Sequence, residues 1–237
     1  MNKKSLVFII TFAISMSSYA ADKPINVLML GGGKSHDFKL CYDVLDRKTL
    51  EDAGIAKVTY TQDIAVCAKE LPHTDVFVPC GNVKYDAALK QAIVDFLDGG
   101  GGMLVLHAGV WTRKGWPVLN TKIVGGTPKG HEKRGNTFDV KNLMPDHPLM
   151  KDVPATFAIV DELYRMEHHQ KEIKWTILAE SKSRQTDLVC ASIWISERKK
   201  GKVLSCSLGH DRLAHDVPAY QQFLRNAIAW LSETKPQ

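Results

Sequence analysis

Short apolar runs alternate with longer amphipathic stretches through the first half of the chain. Asn26–Leu30 (NVLML) is apolar, too short for a helix and followed by glycines, so it reads as a buried strand. The next run carries Leu40, Val44, Leu45 and Leu50 at helical spacing, with Asp37 in a capping position and Gly54 as its stop. Ala56–Thr61 and Asp75–Pro79 (DVFVP) read as the second and third strands. Asp86–Leu97 puts Leu89, Ile93, Phe96 and Leu97 on one helical face. Four glycines, Gly99 to Gly102, end that helix, and Met103–Leu106 is a fourth apolar strand that stops at His107. Strands alternating with helices of this length predict βαβ units and a parallel sheet, an α/β fold.

After His107 the alternation breaks. Trp111, Trp116, Gly125-Gly126, Gly130 and His131 fall in a long irregular segment, and such segments inside a compact domain are often functional. Its tryptophans suit either stacking on a sugar face or anchoring the loop. Asn136–Val140, Thr156–Val160, Trp175–Ala179, Ala191–Ser196 and Lys202–Ser207 read as further short strands, and Tyr220–Leu231 as a closing amphipathic helix. No linker or shift of composition divides residues 21–237, which are read as one domain.

Residues 1–20 are set apart. Lys3 and Lys4 precede an apolar run from Leu6 to Met16, and Ser18-Tyr19-Ala20 is a small-x-small cleavage signal. This is the pattern of a secretory signal peptide, predicting a secreted or periplasmic protein with no membrane span after cleavage. Cleavage would remove two of the five net positive charges. The remaining mild, scattered basicity gives no reason to expect a nucleic-acid partner. The five cysteines are an odd number, far apart and without a C-x-x-C pair, so neither a zinc knuckle nor a redox motif is expected. They read as small buried side chains, with a Cys190–Cys206 bridge between neighbouring strands as one option.

The chemistry gathers at strand ends. His36-Asp37 follows the first strand, His107 ends the fourth, Asp161-Glu162 ends another, and Gly209-His210-Asp211 follows the last. Ligands of open α/β sheets bind outside the carboxyl ends of the strands, so these groups would converge on one edge if the strands share a parallel sheet. Two or three imidazoles with a carboxylate match a zinc-type site with an open position; without metal they would form a general acid–base site. His107 occupies a strand–turn–helix elbow that lacks Ser or Cys, so acyl-enzyme chemistry is not expected there. The G-x-G-x-x-G spacing and a P-loop are absent around Gly31-Gly32-Gly33, which argues against nucleotide binding.

In order along the chain, several short pieces resemble the ThuA-like (trehalose utilisation) family of the class I glutamine-amidotransferase-like superfamily. They are Ser35-His36-Asp37, the stretch Gly101 to Gly109 around His107, Gly125-Gly126, Lys129-Gly130-His131, His147-Pro148 and Asp161-Glu162-Leu163-Tyr164. Ile193-Trp194, Gly201-Lys202-Val203, Leu208-Gly209-His210-Asp211 and Asn226 to Leu231 complete the set. The resemblance implies a flavodoxin-like, doubly wound, mostly parallel sheet with helices on both faces. It also implies that amidotransferase activity is absent, because His107 stands where those enzymes carry Cys. The family's association with disaccharide breakdown through 3-keto sugars suggests a small carbohydrate as partner.

Together these readings give a divalent metal ion, zinc by donor type, held by His107, Glu162 and His210. His36 or His131 would be a further ligand or a base, Asp211 would orient an imidazole from behind, and Trp111 and Tyr164 would contact the sugar. The reading is then a periplasmic, metal-dependent enzyme acting on a sugar or 3-keto-glycoside by hydrolysis or elimination, and the alternative a non-catalytic carbohydrate-binding protein that kept the cleft; metal content and turnover separate the two.

Overall fold

The computed structural model describes residues 23–169 and 171–233, with backbone alone at 112–114. Residues 1–20, with the signal-peptide reading, lie outside the described residues.

Strands β1 (Ile25–Leu30), β2 (Ala56–Thr61), β3 (Val76–Pro79) and β4 (Gly102–Leu106) form within a residue of where their apolar runs predict. Alternate side chains point to opposite faces of a strand, and that alternation divides the core in two. Val27, Met29, Leu104 and Leu106 pack with Tyr42, Leu50, Phe223 and Leu224 on one side. Leu28, Leu30, Met103 and Val105 pack with Cys67, Leu89, Ile93 and Phe96 on the other. Both faces are buried, which explains why these strands are apolar throughout and not alternating. The first side is covered by a π-helical stretch (Lys39–Asp46) running into α1 (Arg47–Glu51), and by the closing helix. The second is covered by α2 (Ile64–Glu70) and α3 (Ala87–Asp98), whose caps Asp63 and Asp86 accept from backbone N–H groups of the first turn. Asp37 Oδ1 accepts from Leu40 N at 3.0 Å, as its capping position predicts.

The remaining strands are β5 (Gly126–His131), β6 (Asn136–Asn142), β7 (Thr156–Asp161), β8 (Tyr164–His168), β9 (Trp175–Ser183), β10 (Val189–Ser196) and β11 (Lys202–Cys206). Two helices close the chain, α4 (Arg212–His215) and α5 (Pro218–Ser232). Nine strands make one sheet in the order β2-β1-β3-β4-β11-β10-β9-β6-β7. From β2 to β11 neighbours are parallel; from β11 to β7 they are antiparallel. The sheet is therefore mixed, with a parallel half as the sequence predicts and an antiparallel half beside it. One reason lies in the connections: those from β9 to β10 (184–188) and from β10 to β11 (197–201) are too short to hold the crossover helices that parallel neighbours require. β5, inside what the sequence shows as irregular chain, pairs with β8 in a separate two-stranded sheet. The Cys190–Cys206 bridge does not form, and all five cysteines are free. The register pairs Cys206 with Ile193, which leaves Cys190 three positions away.

Candidate metal centre

Three imidazoles reach one point from the carboxyl ends of β1, β4 and β11. His107 follows β4 directly, is fully buried and has φ +36°, a left-handed conformation that costs a non-glycine residue about 1–3 kcal/mol. Two residues on, a Cβ at Gly109 would come within 2.1 Å of the Pro79 carbonyl oxygen, so the chain turns tightly against β3. His107 Nδ1 lies 2.7 Å from the carbonyl oxygen of Ser207. A carbonyl can only accept, so Nδ1 carries the proton and Nε2 presents a bare lone pair.

That lone pair is crowded. His36 Nε2 lies 3.0 Å from it, the Tyr164 hydroxyl 2.9 Å, His210 Nδ1 3.3 Å and Glu162 Oε2 3.5 Å. Glu162 Oε2 is also 3.1 Å from His210 Nδ1. The Glu162 carboxylate has no proton to give that lone pair, and one lone pair cannot accept from the other three groups together. One donor atom from each of His36, His107, Glu162 and His210 lies within 4.8 Å of the others, and the last three residues are buried. A tetrahedral ion with bonds of about 2.0–2.1 Å needs donors about 3.3–3.4 Å apart. Four of the separations, 3.0 to 3.5 Å, bracket that spacing, and all four donors stay within 4.8 Å of one another, so the donor set suits a divalent cation in number and type.

The charge states suit the same role. Burial, the largest cause, pushes His36 down to about 3, which keeps its ring neutral. Ser35 Oγ sits 2.6 Å from His36 Nδ1 and itself accepts from Asn82 Nδ2 at 3.2 Å, which fixes the ring. Burial opposes the charge on Glu162, but His107 and His210 beside it outweigh burial and hold its carboxyl far below the usual range. Its other oxygen accepts from Arg134 Nε at 3.0 Å.

A cleft of about 660 Å³ opens over the cluster, with Asn82, Lys84, Trp111, His131, Arg134 and Tyr164 in its walls. Trp111 meets the Tyr164 ring edge-on, 5.5 Å between centroids, and is hydrogen-bonded to its hydroxyl. Burial and then the Glu162 charge hold that hydroxyl well above the usual tyrosine value, so it stays protonated. His131 stands apart from the four donors: its Nδ1 is 2.7 Å from the Glu132 carbonyl oxygen and 3.7 Å from Glu162 Oε1.

The structure gives Asp211 a different task from orienting an imidazole. Its Oδ1 accepts from Leu213 N at 2.9 Å and caps α4. The Ser207 carbonyl orients His107 instead. Glu162 reaches the cluster by another route than a shared parallel edge, because β7 is the outermost antiparallel strand. The sheet curls so that Asp161, the last residue of β7, binds the backbone of Gly209 and His210. Arg134, Asn82 and Lys84 carry no sequence signal, since they sit in polar loops. Asp46 and His215 form a buried pair, Nδ1 to Oδ1 2.6 Å, that nothing in the local sequence announces.

An α/β sheet with three histidines and a carboxylate gathered at its carboxyl edge places this molecule among proteins that build their sites on strand ends. The chain belongs to the ThuA family, described as trehalose utilisation, whose model matches residues 26–231. No curated protein matches the sequence. Among solved structures it is similar to a ThuA-like protein from Parabacteroides merdae, with TM-score 0.77, 18% identity, and 91% of this chain and 92% of that one covered. A ThuA-like protein from Bacteroides uniformis gives TM-score 0.75, 16% identity and coverage of 91% and 94%. A β-galactosidase from Bacillus circulans sp. alkalophilus gives TM-score 0.60 at 12% identity, with 90% of this chain matching 32% of that one. At these identities the likeness is one of fold.

Proposed function

We propose that this ThuA-family protein is an exported, metal-dependent enzyme that acts on a sugar or a 3-keto-glycoside by elimination and hydration. The observation that carries the reading is the convergence of His36, His107, Glu162 and His210 on one point beneath an open cleft. The Lys3-Lys4 start and the Ser18-Tyr19-Ala20 signal support export. The order β2-β1-β3-β4-β11, with helices on both faces, supports reading the parallel half as a doubly wound, flavodoxin-like unit extended by antiparallel strands.

A divalent ion, zinc by donor type, would be held by His107, Glu162 and His210, with His36 beside the position left open for substrate, and would supply Lewis-acid stabilisation of an oxyanion. The protein's own groups divide the rest. A 3-keto group makes the C2 proton of the sugar acidic. His131 donates its Nδ1 proton to the Glu132 carbonyl, which leaves Nε2 as the base in the cleft wall that takes that proton. The electron pair released at C2 forms the C1–C2 double bond and expels the glycosidic oxygen, which leaves protonated; Tyr164 is the protonated group nearest the cluster. Water then adds across the double bond. Trp111 lines the same cleft and offers the ring face or edge against which a sugar packs.

The test is elemental analysis of protein purified without a chelating tag, followed by assay on a 3-keto-glycoside before and after chelation. One equivalent of metal and chelator-sensitive turnover are expected. Sugar binding without turnover would favour a carbohydrate-binding protein, and a metal-free, fully active enzyme would overturn the proposal.

A further inference from the structure

The backbone that carries His210 is held from several remote parts of the chain. Gly209 N donates to Asp161 Oδ2 at 2.7 Å and His210 N to Asp161 Oδ1 at 3.0 Å. The same Oδ1 accepts from Glu162 N at 2.7 Å. On the opposite side, the Gly209 carbonyl accepts from the Tyr42 hydroxyl and from His215 Nε2, both at 3.1 Å. His215 is in turn fixed by Asp46, whose second oxygen accepts from the Tyr220 hydroxyl at 3.1 Å. Asp161, Asp46 and His215 are each 1% exposed or less. Tyr42 and Asp46 both come from the π-helical stretch, an irregularity often found where a helix serves a site. Gly209 has φ +111°, so the turn also needs its glycine.

We infer that Asp161 is a positioning residue that locks the backbone of Glu162 to that of His210, so their donor atoms stand 3.1 Å apart before any ion arrives. Side chains behind metal ligands set ligand orientation, and their loss typically costs about 10–100-fold in affinity. Here one carboxylate does this through the main chain of two ligand residues drawn from different ends of the sheet. All three of its partners are N–H donors. Asparagine has the same shape but one accepting oxygen, and it would turn an N–H toward an N–H. The metal role rests on the reading given under Proposed function; the backbone lock does not.

The experiment compares wild type, Asp161→Asn and Tyr42→Phe, with Leu50→Ala as a control for general destabilisation. Amide hydrogen exchange on metal-free protein reads the lock, and competition of Zn²⁺ with a chromophoric chelator reads the site. In Asp161→Asn, exchange at Gly209 and His210 should quicken about tenfold or more while Leu104–Leu106 stay protected, and zinc affinity should fall about 10–100-fold. Tyr42→Phe keeps the Asp161 bonds and loses one donor to Gly209, so its affinity should fall by only about threefold and the Gly209 and His210 amides should stay slow to exchange. If Asp161→Asn does not fold, about tenfold faster exchange of those amides in Tyr42→Phe overturns the inference. Leu50→Ala should lose stability but bind zinc as wild type does. Zinc affinity within about twofold of wild type in folded Asp161→Asn, or unchanged exchange at both amides, overturns the inference. If wild type itself binds no zinc, the site reading fails, and the exchange result alone still decides whether Asp161 is the lock.

Discussion

His107 Nδ1 and the Ser207 carbonyl oxygen, 2.7 Å apart, tie together the ends of two adjacent parallel strands, β4 and β11. The bond puts a proton on Nδ1 and turns Nε2 to the cluster, and because Ser207 lies just before Gly209-His210 it also ties the two histidines to one scaffold. Replacing His107 should therefore empty the site without unravelling the sheet, since Met103–Leu106 stay buried. His107→Ala is expected to lose its metal content and at least about 100-fold in turnover, measured by elemental analysis and steady-state kinetics.

The same position offers a test of backbone strain. At φ +36° glycine is at ease and alanine is not. His107→Gly should unfold at higher urea than His107→Ala, by about 0.5–1 kcal/mol, the reverse of the usual order.

Removing the Tyr164 hydroxyl separates binding from chemistry. Tyr164→Phe keeps the ring against Trp111 and leaves the four donors in place. Metal content should match wild type while kcat falls about 10²–10⁴-fold, the usual scale for a lost proton donor. An unchanged kcat would remove Tyr164 from the reaction.

Alkylation of thiols should leave activity intact. Burial pushes the Cys80 and Cys206 thiols up, and neither is exposed. Half-buried Cys190 should react first, though burial raises its pKa too. Native-state labelling followed by assay checks both points.

The Asp46–His215 pair gives stability a pH dependence. Burial alone would lower His215, but the Asp46 charge and hydrogen bond outweigh it and hold the imidazole well above its ordinary 6.5. A raised folded-state pKa stabilises fully below about 6.5, and that gain is lost as pH rises through the folded value. Urea unfolding from pH 6 to 9 should show this group's contribution level up to about 6.5 and then falling by up to about 1.4 kcal/mol per pH unit until the folded-state value is reached. His215→Gln should lack that slope. Besides Asp46, the ring faces Tyr42, Tyr220, Cys41 and the Gly209 carbonyl.

The parallel strands are legible in the sequence because burial on both faces writes an uninterrupted apolar run, as in Met103–Leu106. β5 is not: its sequence GTPKGH has glycines and a proline, and pairing with β8 alone makes it a strand. His36, His107 and His210 are legible as side chains at strand ends. Glu162 is legible by position, although the reason is different, because the sheet curls to bring β7 back. Asp211 misleads, since a carboxylate beside a histidine looks the same in sequence whether it orients a ring or caps a helix. Asp46 and His215 are 169 residues apart, and no local pattern joins them.

β11 is the last strand to be synthesised, yet it sits in the middle of the sheet between β4 and β10. Until residues 202–206 emerge, the parallel and antiparallel halves each present an open, unpaired edge, the kind of edge on which chains stick to one another. One event closes both edges and delivers His210 next to His107. Biogenesis of this protein therefore has a late commitment point: a chain cut short before β11 is left with two half-sheets and no complete donor set.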